Sequence, residues 1–344
     1  MFNKLDNAVS RTIDYQGASY LHFGGTAYLG LNTHAGFLDL YQTGLARYGL
    51  NVGTSRSNNV QLGIYEEAER AAAERFGFES ALMLSSGFLA AQTAVSFLGG
   101  SKTVIFSPDC HPALWPGNSR PALTTANFEA WVADTVARIN GHSGTEFVVV
   151  SNTVDNLQVA IHDFSGFSAI SADKTVYFVL DDSHGIGILR GHYTVPLRAN
   201  FHTVVVASLA KGVGIDAGIV LGKQAVVEPL RHTGIYLGAS PPSPASMYAF
   251  IHGAAIYSKQ WDALQANISY FQQHIRADCR TAPGFPVACF SQPGLYDLGV
   301  KNRIVMSSFP YPLPTSPLLN RVVLSSVHTR GDLQHLLQVV NSVA

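Results

Sequence analysis

The chain has 344 residues, with 22 Lys and Arg against 23 Asp and Glu, a formal net charge of -1 and 47% hydrophobic residues. Charged residues make up only 13%, about half the share of an average soluble domain, so much surface is expected to be buried between subunits or domains. Low charge with high hydrophobicity excludes a disordered chain, and the absence of a basic cluster argues against nucleic acid or an anionic membrane as partner.

In chain order, the start Met1-Phe2-Asn3-Lys4-Leu5-Asp6 lacks the basic-then-apolar pattern of a secretory signal. Ile64–Phe76 reads as a helix: Ala68, Ala71, Ala72 and Phe76 share a face, Glu66, Arg70 and Glu74 follow at i,i+4, and Gly77 ends it. Ser80 to Ser101 carries no charge, but Ser85, Ser86, Gly87, Gln92 and Thr93 interrupt it, so a buried turn and a helix over Phe88 to Leu98 are expected rather than a membrane span. The strand candidates are Thr103 to Phe106, Phe147 to Ser151, Val176 to Leu180, Thr203 to Ser208 and Gly218 to Leu221. They are short, apolar on both faces and rich in Val and Ile, as strands of a buried parallel sheet are. After Ser240-Pro241-Pro242-Ser243-Pro244 a long polar helical segment runs to about Asp278, then a strand from Arg321 to Ser326 and a last helix with Thr329 and Asp332 in capping-box spacing. Cys110, Cys279 and Cys289 lack metal spacing and suit free thiols in a reducing compartment, so a cytoplasmic location is expected. The expected fold class is α/β: an N-terminal segment (1–35), a large domain with a mostly parallel sheet (36–258) and a smaller α+β C-terminal domain (259–344), with a cleft between the two lobes.

The chemistry concentrates at two expected strand ends. Val176 to Leu180 runs into Asp181-Asp182-Ser183-His184-Gly185, and Thr203 to Ser208 into Leu209-Ala210-Lys211-Gly212. Ligands of open α/β sheets sit outside the carboxyl ends of strands, so both clusters can face one crevice. A carboxylate, an imidazole and a lysine suit pyridoxal phosphate: Lys211 bonds its aldehyde, Asp181 keeps the ring nitrogen protonated and His184 meets the phenolic oxygen. Asp182, next along the strand, is expected to point to the opposite side. Gly212-Val213-Gly214-Ile215-Asp216-Ala217 matches a dinucleotide fingerprint, but a strand and not a helix should follow it. Ser208-Leu209-Ala210-Lys211 matches S-x-x-K without the partner motifs of penicillin-recognising enzymes.

The sequence resembles the α-oxoamine synthase family of fold-type I pyridoxal-phosphate enzymes. The likeness is carried by Thr26-Ala27-Tyr28-Leu29-Gly30-Leu31, Tyr48-Gly49 with Gly53-Thr54-Ser55-Arg56, Phe76 to Leu82 with Ser85-Ser86-Gly87-Phe88, Asp181 to Gly185, and Ser208 to Lys211. That resemblance implies that Lys211 carries the cofactor and moves a substrate proton, that Asp181 and His184 hold its ring, and that His111 stacks on it. Ser86, Gly87 and Phe88, at a helix N-terminus, and the hydroxyl of Ser208 are placed at the phosphate. It implies a homodimer acting on an amino acid and an acyl-CoA, joining them with loss of CO2, with biotin synthesis among the pathways served; no metal is expected, because no further His or carboxylate lies at helical spacing to complete a site with Asp181, Asp182 and His184. The family's carboxylate-binding arginine is looked for within Ser308 to Pro314, where none occurs, leaving Arg11, Arg303 or Arg321 to replace it. A phosphate-binding threonine is replaced at Gly238, the family's SMDGD by Val154-Asp155-Asn156-Leu157-Gln158, and a helix histidine by Tyr65. These departures leave two alternatives: another pyridoxal-phosphate reaction, such as transamination or lysis, and a non-catalytic relative.

Overall fold

The computed structural model describes residues 2–108, 110–118, 121, 127–310, 315 and 318–343. The chain opens with a hairpin, β1 (Thr12–Tyr15) and β2 (Ala18–Phe23). Gln16 and Gly17 turn it at φ 51° and 77°, the left-handed pair whose twist matches that of the flanking strands. Helices α1 (Ala35–Tyr48) and α2 (Ile64–Phe76) follow, and Gly77 ends α2 in the left-handed conformation as expected.

The uncharged stretch after it is more than a turn and a helix. Ser80–Leu84 forms strand β3, Ser86 caps the next helix by accepting from the Leu89 N–H, and α3 spans Gly87–Gly99. Five consecutive apolar or small residues do not distinguish a buried strand from a buried helix by periodicity, and here sheet pairing decides. β4 (Thr103–Phe106), helix α4 (Phe128–Gly141), β5 (Glu146–Asn152), the small hairpin β6 (Val154–Asp155) and β7 (Ala160–Ile161), β8 (Thr175–Asp181), β9 (Phe201–Ser208) and β10 (Gly218–Gly222) complete this part.

The sheet order is β3-β10-β9-β8-β5-β4. Neighbours β4/β5, β5/β8 and β8/β9 are parallel, but β10 is antiparallel to both β9 and β3. Gly218 to Leu221 is therefore a strand as expected, with its direction reversed. The nine residues from Leu209 to Ala217 that join it to β9 are too few for the crossover a parallel pair needs. Both faces are covered. Val148, Val150, Val179, Val204 and Val206 pack with α3 residues such as Ala90, Ala94 and Leu98, while Phe147, Val149, Phe178 and Leu180 pack with Trp131 of α4. Register sets Asn152 beside Asp181 and Asp181 beside Val206, so β5, β8 and β9 end along one edge.

The polar helical segment divides at Gly253 into Pro244–His252 and Ala254–His274. Beyond it lie β11 (Arg280–Thr281), β12 (Val287–Phe290), β13 (Ile304–Pro310) and β14 (Leu318–Val323). They form a second sheet in the order β1-β2-β13-β14-β12-β11, so the N-terminal hairpin is built into the C-terminal sheet through parallel pairing of β2 with β13. The last helix, Arg330–Asn341, carries the expected capping box, and Arg11 clamps its Asp332 at 2.7 and 2.8 Å. Leu333, Leu336, Leu337 and Val340 of that helix are buried, as their stripe predicts. Among the described residues, no helix is long and apolar enough to cross a membrane.

Candidate active site

Three of the predicted residues meet where β8 and β9 end. Lys211 sits in the tight β9–β10 connection, where Leu209 N–H donates to the Ala217 carbonyl and Ile215 N–H to the Leu209 carbonyl. Gly214 there has φ 72° and abuts Leu31: a Cβ at this position would come within 2.7 Å of the leucine side chain. From that loop the Lys211 Nζ donates to His184 Nε2 at 3.1 Å. Burial lowers the lysine pKa, Asp181 raises it, and Arg321 lowers it further. Asp181 accepts from the Ser183 N–H at 2.9 Å, which fixes its carboxylate at the strand end.

His184 is held from three sides. Asn156 donates its amide to Nε2 at 2.7 Å, alongside Lys211, and Tyr28 Oη lies 2.8 Å from Nδ1. Two donors on Nε2 make it the lone-pair nitrogen, so the ring proton resides on Nδ1 and faces Tyr28. Burial, with Lys211, Arg321 and His111 as positive neighbours, drives the His184 pKa well below its ordinary value. The ring is a neutral hydrogen-bonding group, not an acid. Tyr28 is fully buried, and burial raises its phenol in the same way.

His111 approaches from the loop after β4. Its N–H donates to the Asn152 side chain at 3.1 Å and its Nδ1 caps a short 3-10 turn by accepting from the Ala113 N–H at 3.1 Å. Its pKa is lowered by the surrounding protein, raised by Asp181 and lowered by Lys211, so all three groups share one environment.

Ser86, Gly87, Phe88 and Ser208 also come together. The Ser86 hydroxyl is occupied in capping α3, leaving the first helical amides without intrahelical acceptors. A Cβ on Gly87 would fall 2.6 Å from Ser208 Cα, and one on Gly218 would fall 2.0 Å from the Ser86 carbonyl oxygen. Only glycines allow the helix N-terminus to press this closely on the ends of β9 and β10. The result is a cradle of amides beside a serine hydroxyl, the donor set an anion requires. With a half-buried lysine, a carboxylate and a neutral imidazole nearby, the residues present fit pyridoxal phosphate.

Sequence reasoning missed the roles of Tyr28 and Asn156 and left Arg321 as one of three options. Asn156 reaches His184 because the β6–β7 turn is tight: Asp155 accepts from the Leu157 and Gln158 N–H groups at 2.9 Å each, and Val159 is forced to φ 57°. The signal was the Asp-Asn pair between apolar runs. Arg321 lies at mid-strand in β14, beside Cys289 and Ser307. Its charge acts on Tyr28, His184 and Lys211 together, while its buried Nε has no hydrogen-bond partner. Arg11 and Arg303 are engaged elsewhere, with Asp332 and with Tyr20. In the stretch Ser308 to Pro314, residues 311–314 lie outside the described residues.

Two other candidates have structural places. Asp182 is buried and accepts from His192 Nε2 at 2.8 Å, from Tyr193 Oη at 2.5 Å and from the Thr153 hydroxyl. Arg56 lies against the Tyr65 and Tyr236 rings, 3.6 Å from the buried Glu69, which Arg231 meets at 2.8 Å.

No family model matches the chain. It is 25% identical to 8-amino-7-oxononanoate synthase of Erwinia tasmaniensis, covering 97% of this chain and 92% of that one. Identity to the Burkholderia thailandensis protein of that name is 26%, covering 96% and 90%. Among solved structures, Sphingomonas wittichii serine palmitoyltransferase superposes with a TM-score of 0.85 at 18% identity, covering 98% of this chain and 90% of that chain. An 8-amino-7-oxononanoate synthase from Francisella tularensis gives 0.72 at 19% identity, covering 94% and 97%. The architecture is that of the fold-type I pyridoxal-phosphate enzymes. In sequence the chain is similar, over nearly its whole length, to proteins named 8-amino-7-oxononanoate synthase, in keeping with the family its motifs resemble.

Proposed function

We propose that the protein is a pyridoxal-phosphate-dependent C-acyltransferase that condenses an amino acid with an acyl-CoA thioester, releasing CO2 and coenzyme A. The observation that carries this reading is the gathering of Asp181, His184 and Arg321 around the amine of Lys211. When bound through Lys211, pyridoxal phosphate supplies an electron sink for charge left on the amino acid's α-carbon. The protein's own residues do the rest. With the cofactor bound, Asp181 would set its negative charge toward the ring nitrogen, and the neutral His184, its two nitrogens engaged by Tyr28 and Asn156, would line the edge of the ring. The amides at the start of α3 and the Ser208 hydroxyl would hold its phosphate, and His111 would lie toward its ring. Lys211, its pKa lowered by burial, takes the α-proton on Nζ as a neutral amine. Arg321, a guanidinium without an acidic partner among the described residues, receives the substrate carboxylate. The arginine that the altered C-terminal turn lacks is thereby supplied by β14.

Exposed Leu38, Leu50, Val60 and Phe88, together with the low charge content, support a homodimer. A cytoplasmic enzyme is consistent with the absence of a disulfide among the described residues. The relatives named 8-amino-7-oxononanoate synthase favour that acyl transfer, with biotin synthesis as its setting. The test is coenzyme A release, assayed over a panel of amino acids and acyl-CoA thioesters, beside the absorbance of the bound cofactor. Release that depends on both substrates and is lost with Lys211→Ala supports the reading. An intact cofactor spectrum with no release from any pair refutes it and favours transamination or lysis. A spectrum unchanged by Lys211→Ala refutes the attachment itself.

A further inference from the structure

A second cavity, of about 420 Å³, lies behind the site just described, between the end of α2, the chain from Ile186 to Tyr193 and the start of helix Ala254–His274. Neither Lys211, His184, Asp181 nor Arg321 lines it, although Ile186 and Val213, two residues beyond His184 and Lys211, form part of its wall. Its volume falls in the range of about 300–1,000 Å³ typical of small-molecule sites. Two arginines line it and no carboxylate does. Arg190, exposed at the mouth, stacks 3.6 Å over the Trp261 ring, whose indole N–H is fixed by donating to the Ile188 carbonyl at 2.8 Å. Arg75, half-buried, lies against the Phe250 and Tyr257 rings at 4.2 and 4.6 Å. Its Nη2 donates to the Phe250 carbonyl at 3.1 Å, while its buried Nη1 has no partner. Neither guanidinium has an ion-pair partner among the described residues. A third unpartnered group borders the cavity: His192 Nε2 is committed to Asp182, leaving Nδ1 buried without a hydrogen-bond partner.

From this arrangement we infer a ligand site for a small hydroxy acid with an apolar body. Its carboxylate meets Arg75 and Arg190, its hydroxyl donates to His192 Nδ1, and its body lies against Trp261 and Tyr257. A carboxylate between the two guanidinium groups supplies the negative charge that the wall lacks, and charge-assisted pairs at a partly dry site are the strong ones. The aromatic walls favour a flat apolar body over a bare anion. The site is independent of the acyl-transfer reading, since no lining residue is assigned to the reaction.

The test uses the cofactor-loaded protein, titrated by calorimetry with 3-phenyllactate and, separately, with inorganic phosphate. The expected result is saturable binding of one 3-phenyllactate per chain, weakened at least tenfold by Arg190→Ala and by Arg75→Gln, and retained in Lys211→Ala. Arg190 is exposed, so its variant remains informative should Arg75→Gln fold poorly. Coenzyme A release, read in parallel, is unchanged in Arg190→Ala, which separates loss of this site from failure of the main one. Absence of saturable binding, affinity unaffected by Arg190→Ala, competition by an amino acid substrate, or equally tight binding of phosphate would each overturn the assignment.

Discussion

Replacing Arg321 by methionine separates cofactor attachment from substrate recognition. Among the described residues its side chain forms no hydrogen bond or ion pair, and it packs 5.6 Å over the Phe309 ring. Methionine keeps the apolar stem, so the substitution removes charge while breaking only the guanidinium contact with the Phe309 ring. What it removes is the interaction with the incoming carboxylate. A hydrogen bond to a charged group is worth about 1.5–3 kcal/mol. At about 1.4 kcal/mol per factor of ten, Arg321→Met should raise the apparent Kd for the amino acid about 10- to 150-fold. A second effect follows from the same charge. Arg321 lowers the pKa of both Lys211 and His184, so both rise when it is lost. The pH at which the lysine becomes a neutral base moves upward. The assay is a titration of the cofactor absorbance with amino acid, repeated across pH. An unchanged Kd, with cofactor content and pH profile both intact, would refute the assignment of Arg321 to the substrate carboxylate.

Other perturbations follow from the geometry. Asp182→Ala leaves Thr153, His192 and Tyr193 without their shared acceptor; urea denaturation should show a loss of about 3–5 kcal/mol, the cost of breaking a buried charged network. Asn156→Ala removes one donor from His184; a hydrogen bond worth about 1 kcal/mol predicts about a fivefold fall in kcat with cofactor content unchanged. His328 is the pH-sensitive point of the second sheet: its Nδ1 accepts from the Ser325 N–H at 3.0 Å and its Nε2–H donates to the His22 carbonyl at 3.1 Å, so both nitrogens are used in the neutral form. Burial lowers its pKa from 6.5 to about 4. The unfolded chain therefore takes up this proton first, and stability that is complete above pH 6.5 declines as pH falls toward 4, by about 3 kcal/mol on the linkage relation. Chemical denaturation at stepped pH should show a decline smaller by about that amount in His328→Gln than in the native protein, provided the variant folds.

Much of the large sheet was legible because its strands are short apolar runs, buried on both faces, and two of them end in chemistry. Val176 to Leu180 and Thr203 to Ser208 announced themselves in that way. β3 did not, since Ser80–Leu84 runs directly into an apolar helix and only its pairing with β10 makes it a strand. The reversal of β10 was implicit in the short connection after Lys211. Arg321 was hidden for a different reason: its importance depends on the cross-strand position of β14 relative to a cavity built by the other sheet, and no local pattern encodes that distance. The joining of β2 to β13 is likewise non-local, pairing residues near the start of the chain with Ile304 to Met306.

The adjacent acids Asp181 and Asp182 show how the pleat divides one sequence motif between two tasks. They follow one another at the end of β8, where successive side chains turn to opposite sides. Asp181 reaches the side occupied by Lys211 and His111, and its charge acts on both. Asp182 turns inward to Thr153, His192 and Tyr193, which share its carboxylate as their acceptor. The second acid thus anchors the strand end from which the first projects. Because His192 and Tyr193 also line the cavity behind the site, a ligand there would press on the residues that hold Asp182, one peptide bond from the carboxylate assigned to the cofactor ring.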